Sequence, residues 1–273
     1  MSWLNRFRDQ PHPAPAPGNP ECHIQVALSG PVLPAEDWFH EALAELNSAT
    51  SIRGYHADGH TASFTVAELT REGPAEIGWG TIALRPGPLP GADLAGLCTR
   101  SWHWPQAAET LCAHTHHWVV CVTTDTTHFH NAMVTGRLLA ALSRLPECLG
   151  ACFPLAGLVQ APAALRAHCD TQPDALPVQL WVNFPLQAHY DGSTTLRTQG
   201  LRQFGVPEIE IVHSHLPYEE LYQRAQEFAG NLMKAGPVLK DGDTVNSATD
   251  ERHLVRHEPS IFDPQQTVCR IYL

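Results

Sequence analysis

The segment 217–235 constrains the fold most, because it is the clearest amphipathic helix in the chain and strand-like segments flank it on both sides. Its apolar stripe consists of residues at helical spacing, namely Leu221, Ala225, Phe228 and Leu232. Gly236 and Pro237 follow and should end the helix. A hairpin over 178–199, turned by Asp191-Gly192, is predicted before it. Strands interrupted by helices predict an α+β fold, with helices packed on a mainly antiparallel sheet, either as one layer or as two intimately packed α/β halves.

Two stretches rich in proline and glycine mark further boundaries along the chain. Residues 1–21 include the run Pro-His-Pro-Ala-Pro-Ala-Pro-Gly-Asn-Pro and are predicted to be a disordered, proline-rich arm. Residues 22–273 are predicted to form a single α+β domain. A second proline- and glycine-rich stretch marks a candidate seam near 86–100 within that domain.

Composition excludes some classes of function and leaves others open. The formal net charge of −11 opposes binding to nucleic acid, and it suits either a basic partner or simple solubility. No run approaches the roughly 18–20 apolar residues of a membrane helix, so we expect no membrane contact. The N-terminal segment lacks the apolar core of a signal peptide, so we expect a cytoplasmic protein whose eight cysteines stay reduced.

Three segments together resemble a known family. They are 82–94, the stretch 101–120 around Trp102-His103-Trp104-Pro105, and Gly236-Pro237-Val238-Leu239-Lys240-Asp241-Gly242-Asp243-Thr244 with the closing Val268-Cys269-Arg270-Ile271. In this order they resemble the bacterial family known as domain of unknown function 4261, over roughly residues 22–273. The resemblance implies a small soluble bacterial protein and carries over no catalytic residue. Some uncharacterised families of this sort sit beside secreted toxins as immunity proteins.

The seventeen histidines raise the hypothesis of a metal site. His114 and His116 would share one face of a strand, and His128 and His130 follow in the first turn of a predicted helix. Three imidazoles and Asp125 could then meet a zinc ion. The spacing also suits polar histidines at a sheet edge, which we expect instead, so neither a metal nor another cofactor is predicted.

Two further features allow both a structural and a functional interpretation. They are the segment 240–244 and the tryptophans Trp102 and Trp104. Asp241 and Asp243 could hold calcium, but Val245 and Asn246 do not continue a calcium loop, and a tight turn is the expected structure. Trp102 and Trp104 are both expected to be buried, and either would be a candidate interface hot spot if exposed.

No Gly-x-Ser-x-Gly and no local signature of a cysteine hydrolase occurs, so the sequence favours a non-enzymatic function. The hypothesis is a protein-binding module, most concretely an immunity or inhibitor protein that neutralises one basic toxin or effector. The predicted partner-binding residues are Trp102, Trp104, Glu208, Glu210, Glu219, Glu220, Asp241 and Asp243. The alternatives are a metal-dependent hydrolase that uses His114 and His116, and a scaffold subunit of a bacterial assembly.

Overall fold

The computed structural model describes residues 23–46, 49–89, 94–171, 177–246 and 252–273. They fall into two compact units, an N-terminal unit up to Leu180 and a C-terminal unit, Trp181–Leu273. The predicted arm, residues 1–21, lies outside the described residues, as do positions 90–93 of the candidate seam. Two compact units can share one domain, so the single domain over 22–273 stays a prediction. None of the described helices is long and apolar enough to cross a membrane.

The N-terminal unit is built on a seven-stranded sheet. Its strands are β1 (His23–Leu28), β2 (Thr50–Ala57), β3 (Thr61–Thr70), β4 (Gly73–Pro86), β5 (His116–Thr124), β6 (Cys148–Phe153) and β7 (Leu158–Gln160). Its helices are α1 (Glu36–Ala44), α2 (Leu94–Arg100), α3 (Ala107–Leu111), α4 (His128–Leu142) and α5 (Pro162–Thr171). The strands pair antiparallel in the order β2-β3-β4-β5-β1-β6-β7.

One face of this sheet holds the main core of the unit. Every second residue along a strand points to this face, and Val26, Ile82 and Val120 are at most 1% exposed there. Helix α4 packs on β5 and between α1 and α5. It begins at His128 because the Thr127 hydroxyl accepts the backbone N–H of His130, at 3.2 Å.

The opposite face is covered at its β1, β6 and β7 end. Helices α2 and α3 close a smaller apolar cluster there, made of Ala27, Leu89, Leu97, Cys98, Ala107, Leu111, Cys152 and Val159. The partly buried ring of Trp104 packs against this cluster. The loop between α2 and α3 is therefore attached to the sheet through apolar contacts.

A buried ion pair ties α4 to the strands below it. The guanidinium of Arg137 donates to Glu68 and to the hydroxyl of Thr50, both at 3.0 Å. His130 lies 3.0 Å from the other oxygen of Glu68. These neighbours, His130 first, hold the pKa of Glu68 below its ordinary value against the opposing effect of burial.

The C-terminal unit carries a second, six-stranded sheet. Its strands are β8 (Leu186–Ala188), β9 (Thr194–Arg197), β10 (Ile209–Ser214), β11 (Thr244–Asn246), β12 (Arg252–Pro259) and β13 (Thr267–Tyr272), in the order β11-β12-β13-β10-β9-β8. Only the described pair β10–β13 is parallel. Helix α7 (Tyr218–Ala235) packs on β9 and β10, and a 3-10 helix spans Leu201–Phe204.

The predicted α+β class is confirmed, with seven helices and two mostly antiparallel sheets in the described residues. The stripe of α7 is confirmed as well, because Leu221, Ala225 and Leu232 are at most 2% exposed. The long strand predicted from 178 is wrong. Residues 178–181 form the short helix α6 (Val178–Trp181), and only 186–188 pair with β9. A short apolar run suits a buried strand and a buried helical turn equally well.

Candidate functional site

The start of α7 carries an aromatic and acidic surface, here called the α7 patch and defined by Tyr218, Glu219, Glu220 and Tyr222. Pro217 precedes the helix in an extended conformation, which places both glutamates in the first turn. Carboxylates are favoured there by the positive end of the helix dipole. The side chain of Tyr218 is 44% exposed, and Glu219 is exposed as well. The patch thus presents an aromatic ring and a negative charge side by side.

Contacts with neighbouring side chains hold the residues of the α7 patch in place. The ring of Tyr222 packs edge-on against Phe184, with centroids 5.3 Å apart, and Tyr218 stacks on Tyr222. Burial raises the pKa of the Tyr222 phenol, and the neighbouring Tyr218 raises it further. Glu220 accepts a hydrogen bond from Arg224 one turn along, at 2.6 Å. A surface held in this way loses little conformational entropy on binding.

Glu208 and Glu210, which were predicted to bind a partner, both make contacts within the fold. Glu208 accepts the hydroxyl of Thr198 at 2.7 Å and the backbone N–H of Gly200 at 2.9 Å, next to the 3-10 helix. Glu210 is 1% exposed and lies 3.0 Å from Arg270, its register partner on β13. The parallel pairing of β10 with β13 therefore removes Glu210 from the accessible surface.

The segment 240–244 forms the expected turn. Gly242 has a φ of +85°, a conformation that favours glycine. The carboxylate of Asp243 accepts the backbone N–H of Lys240 at 2.8 Å. Asp241 accepts the N–H of His257 at 2.9 Å and pairs with Arg256 at 3.2 Å. These contacts, the N–H of His257 first, hold the pKa of Asp241 below its usual range. Both carboxylates thus stabilise a turn.

The two tryptophans differ in exposure. Trp104 is half-buried, and atoms of its ring lie 2.7 Å from where a Cβ on Gly150 would be. Trp102 is 57% exposed, so the expectation of burial is wrong for this residue. The preceding residue is the buried one: Ser101 is 1% exposed, and its hydroxyl accepts the backbone N–H of Val159 at 2.8 Å.

The histidines do not converge as the zinc hypothesis required. Strand β5 begins at His116, so His114 precedes it in the loop. Both ring nitrogens of His114 are used within the fold, since Nδ1 lies 2.6 Å from the carbonyl of Leu111 and Nε2 accepts the N–H of Leu89 at 3.1 Å. His116 contacts the hydroxyl of Thr115. Across the parts of the chain that the structure describes, no three His, Cys, Asp or Glu residues are grouped to hold a metal.

A group of polar side chains lies at the β8–β9 hairpin and was not predicted from the sequence. The fully buried Ser193 donates its hydroxyl proton to Asp191 at 2.7 Å and lies 3.1 Å from Nδ1 of His213. A serine nucleophile would direct that proton to the histidine, so this order of contacts is that of a braced turn. The turn at Asp191-Gly192 was predicted, but the contact of Ser193 with His213 has no local sequence signal, because the two residues lie on different strands or loops. His213 also has a φ of +50° and lies 4.6 Å from His189, ring to ring.

The fold defines an α+β protein built on two mostly antiparallel sheets. Within it, residues 197–272, a region that includes the α7 patch, match the family described as Domain of unknown function (DUF4261). Of the three segments that carried the resemblance, only 236–244 with 268–271 lies inside the match, which is shorter than the expected 22–273. Searches of the curated proteins and of the solved structures gave no match.

Proposed function

We propose that this chain is a non-enzymatic protein-binding module, most concretely an immunity or inhibitor protein that neutralises one bacterial toxin or effector. The observation that carries the proposal is the α7 patch, where the exposed ring of Tyr218 rests on an anchored Tyr222 beside the exposed carboxylate of Glu219. Aromatic side chains on a rigid base are enriched among interface hot spots. The neighbouring carboxylates suit a basic partner.

The net charge of −11 supports the same kind of partner, because an acidic protein attracts a basic one over long range. Association would then be fast at low salt and slower as salt rises. The proposal places the chain in the cytoplasm. None of the seven described cysteines forms a disulfide, which is typical of a reducing compartment.

The hydrolase alternative receives less support from the contacts. It requires the ring nitrogens of His114 and His116 to face one ion. Both ring nitrogens of His114, however, form hydrogen bonds with backbone groups. The scaffold alternative shares the α7 patch with the inhibitor proposal and differs from it in the identity of the partner.

The test is affinity purification of the tagged chain from its own host at low and at high salt, followed by mass spectrometry. We expect one stoichiometric, basic, salt-sensitive protein, and a partner that inhibits growth when expressed alone would distinguish an inhibitor from a scaffold. Tyr218→Ala should weaken binding roughly 30-fold, as expected for a hot spot of about 2 kcal/mol. Glu219→Lys should lower the association rate.

The matched control is Glu72→Lys, which makes the same change of charge at an exposed turn before β4. This variant should bind as the unmodified chain does. Equal recovery of the partner with Tyr218→Ala and with Glu72→Lys would contradict the proposed surface.

A further inference from the structure

The turn between β8 and β9 presents an exposed surface, here called the hairpin tip and defined by Tyr190, Asp191 and His213. The side chain of Tyr190 is fully exposed. Asp191 and His213 are exposed as well. Because the burial of aromatic rings supplies much of the free energy of protein interfaces, an aromatic ring left entirely in water is a candidate contact for a partner.

Hydrogen bonds hold the turn of the hairpin tip in one conformation. Asp191 accepts the backbone N–H of Ser193 at 2.9 Å and the hydroxyl proton of the same residue at 2.7 Å. The backbone N–H of His189 donates to the carbonyl of Ser193 at 2.9 Å. The contacts with Ser193, its hydroxyl first, hold the pKa of Asp191 below its usual range, so this carboxylate stays negative. A turn that is already ordered loses little conformational entropy on binding.

His213 has a backbone conformation that residues other than glycine rarely adopt. Its φ of +50° lies in the left-handed region, at an irregularity in the pairing of β10 with β9. Contacts with the hairpin maintain this geometry. The backbone N–H of His213 donates to the hydroxyl of Thr195 at 3.3 Å, and Nδ1 lies 3.1 Å from the hydroxyl of Ser193. Strained residues and strand irregularities cluster at functional sites, where they redirect a side chain, so His213 marks the hairpin tip as such a site.

The hairpin tip lies at the same end of the C-terminal sheet as the start of α7. Ser214, the last residue of β10, pairs with Thr194 at the start of β9, directly after the hairpin turn. Tyr218 follows five residues after His213, a span of at most about 18 Å even for a fully extended chain. The hairpin tip and the α7 patch are therefore neighbours along one edge of this unit.

This edge carries negative charge on both surfaces. The segments that form it, 186–196 and 211–222, contain no Lys or Arg, whereas Asp191 and Glu219 are exposed carboxylates. The first arginine beyond them on α7, Arg224, has a side chain that is only 11% exposed. The histidines of the two segments are His189, His213 and His215. An ordinary imidazole is neutral above about pH 7.5, so the carboxylates set the charge of the edge there and attract a basic partner.

We propose that the hairpin tip is a second contact point for the basic protein partner proposed for the α7 patch, an inference that rests on the proposed function. A stable interface covers about 800 Å² and about 20 to 30 residues on each partner, which is more than the α7 patch supplies alone. The hairpin tip extends that surface along the same edge. Lys or Arg side chains of the partner bind Asp191 and Glu219, and one guanidinium packs on the ring of Tyr190.

Site-specific photo-crosslinking of the full chain in its own host tests this inference. The photoreactive residue p-benzoyl-phenylalanine replaces Tyr190, Tyr218 or Ile261, and mass spectrometry identifies the proteins that become cross-linked. Ile261 is the matched control, because it is 51% exposed but lies at the other end of β10, where its backbone N–H donates to Glu210. We expect the same basic protein to cross-link from Tyr190 and from Tyr218, and not from Ile261.

The protein identified in this way is then purified and titrated against the chain by calorimetry at pH 8. Tyr190→Ala should weaken binding about tenfold, the loss expected of an aromatic side chain at an interface. Ile261→Ala should bind as the unmodified chain does. Because Tyr190 is fully exposed, its replacement should leave the fold intact, which circular dichroism checks.

The outcomes separate this inference from the proposed function. Cross-linking of one protein from Tyr218 but not from Tyr190 would overturn the inference and leave the proposed function intact. Unchanged affinity of Tyr190→Ala would also overturn it, because the ring would then lie near the partner without contributing to binding. Capture of different proteins from the two positions, or of the same protein from Ile261, would count against it equally. Cross-linking from neither tyrosine would overturn both proposals.

Discussion

The ring of Tyr218 lies stacked on the ring of Tyr222, with centroids 6.2 Å apart and planes that differ by 11°. The two residues are one helical turn apart on α7, yet they face different surroundings. Tyr218 is 44% exposed, whereas Tyr222 is half-buried and contacts Phe184. The pair therefore separates two roles, since Tyr222 supports the helix and Tyr218 is available to a partner.

This separation predicts different costs for two alanine substitutions. Tyr222→Ala should lower the free energy of unfolding by about 2–3 kcal/mol, because a half-buried aromatic ring is lost. Tyr218→Ala should lower it by less than about 1 kcal/mol, the size of a stacking contact at the surface. Urea unfolding followed by circular dichroism measures both. Equal destabilisation by the two variants would contradict the assignment of roles.

Glycines at two positions predict opposite effects of the same substitution. Gly80→Ala on β4 should destabilise the fold by about 1–3 kcal/mol, because its Cβ would lie 2.4 Å from the packed ring of Phe64. Gly136→Ala inside α4 should stabilise it by about 0.5–1 kcal/mol, since its Cβ meets nothing within 4 Å and alanine is the better helix former. Thermal unfolding should show a lower Tm for the first variant and a higher Tm for the second. A lower Tm for Gly136→Ala would show that the helix interior is packed more tightly than these distances indicate.

The sequence predicted those elements that depend on local periodicity. The stripe of α7 follows from residues at spacings of three and four, and the turn at 240–244 follows from Asp and Gly chemistry. Both patterns are set within one stretch of chain, although His257 and Arg256 add contacts to the turn from β12. The α+β class follows from the order of such elements along the chain.

The candidate site depends on pairings that periodicity does not specify. Glu210 looked like a surface charge, but the parallel register of β10 with β13 places it opposite Arg270. His114 looked like a strand residue, but its two ring nitrogens are taken by Leu89 and Leu111. Contacts between residues far apart in sequence decide which polar side chains form hydrogen bonds or ion pairs within the fold and are therefore not available to a ligand or partner.

The buried ion pair of Glu210 and Arg270 predicts that the effect of substituting one residue on the free energy of unfolding depends strongly on the other residue. Arg270→Met should lower the free energy of unfolding by about 3–5 kcal/mol, because it leaves the carboxylate of Glu210 buried without its cation. Adding Glu210→Leu should recover much of that loss, since both charges are then absent. Urea unfolding of the two single variants and the double variant measures the coupling. Losses that simply add would show that the two side chains act independently.

Buried His117 predicts that stability falls in mildly acidic solution. The residue is 2% exposed, and burial is the main cause that holds its pKa below the ordinary value. The folded state therefore binds this proton more weakly than the unfolded chain. The stabilisation is complete above the ordinary pKa of about 6.5 and is lost as pH falls below it. His117→Gln should reduce the dependence of the unfolding free energy on pH below about 6.5, because one coupled proton is removed. Urea unfolding at several pH values measures the slope of the unfolding free energy against pH. His56→Gln, at an exposed position on β2, is the control that should leave this slope unchanged.

If His117→Gln retains the full slope, other groups account for the acid sensitivity. The half-buried His128, whose pKa burial also lowers, would then be the next residue to replace.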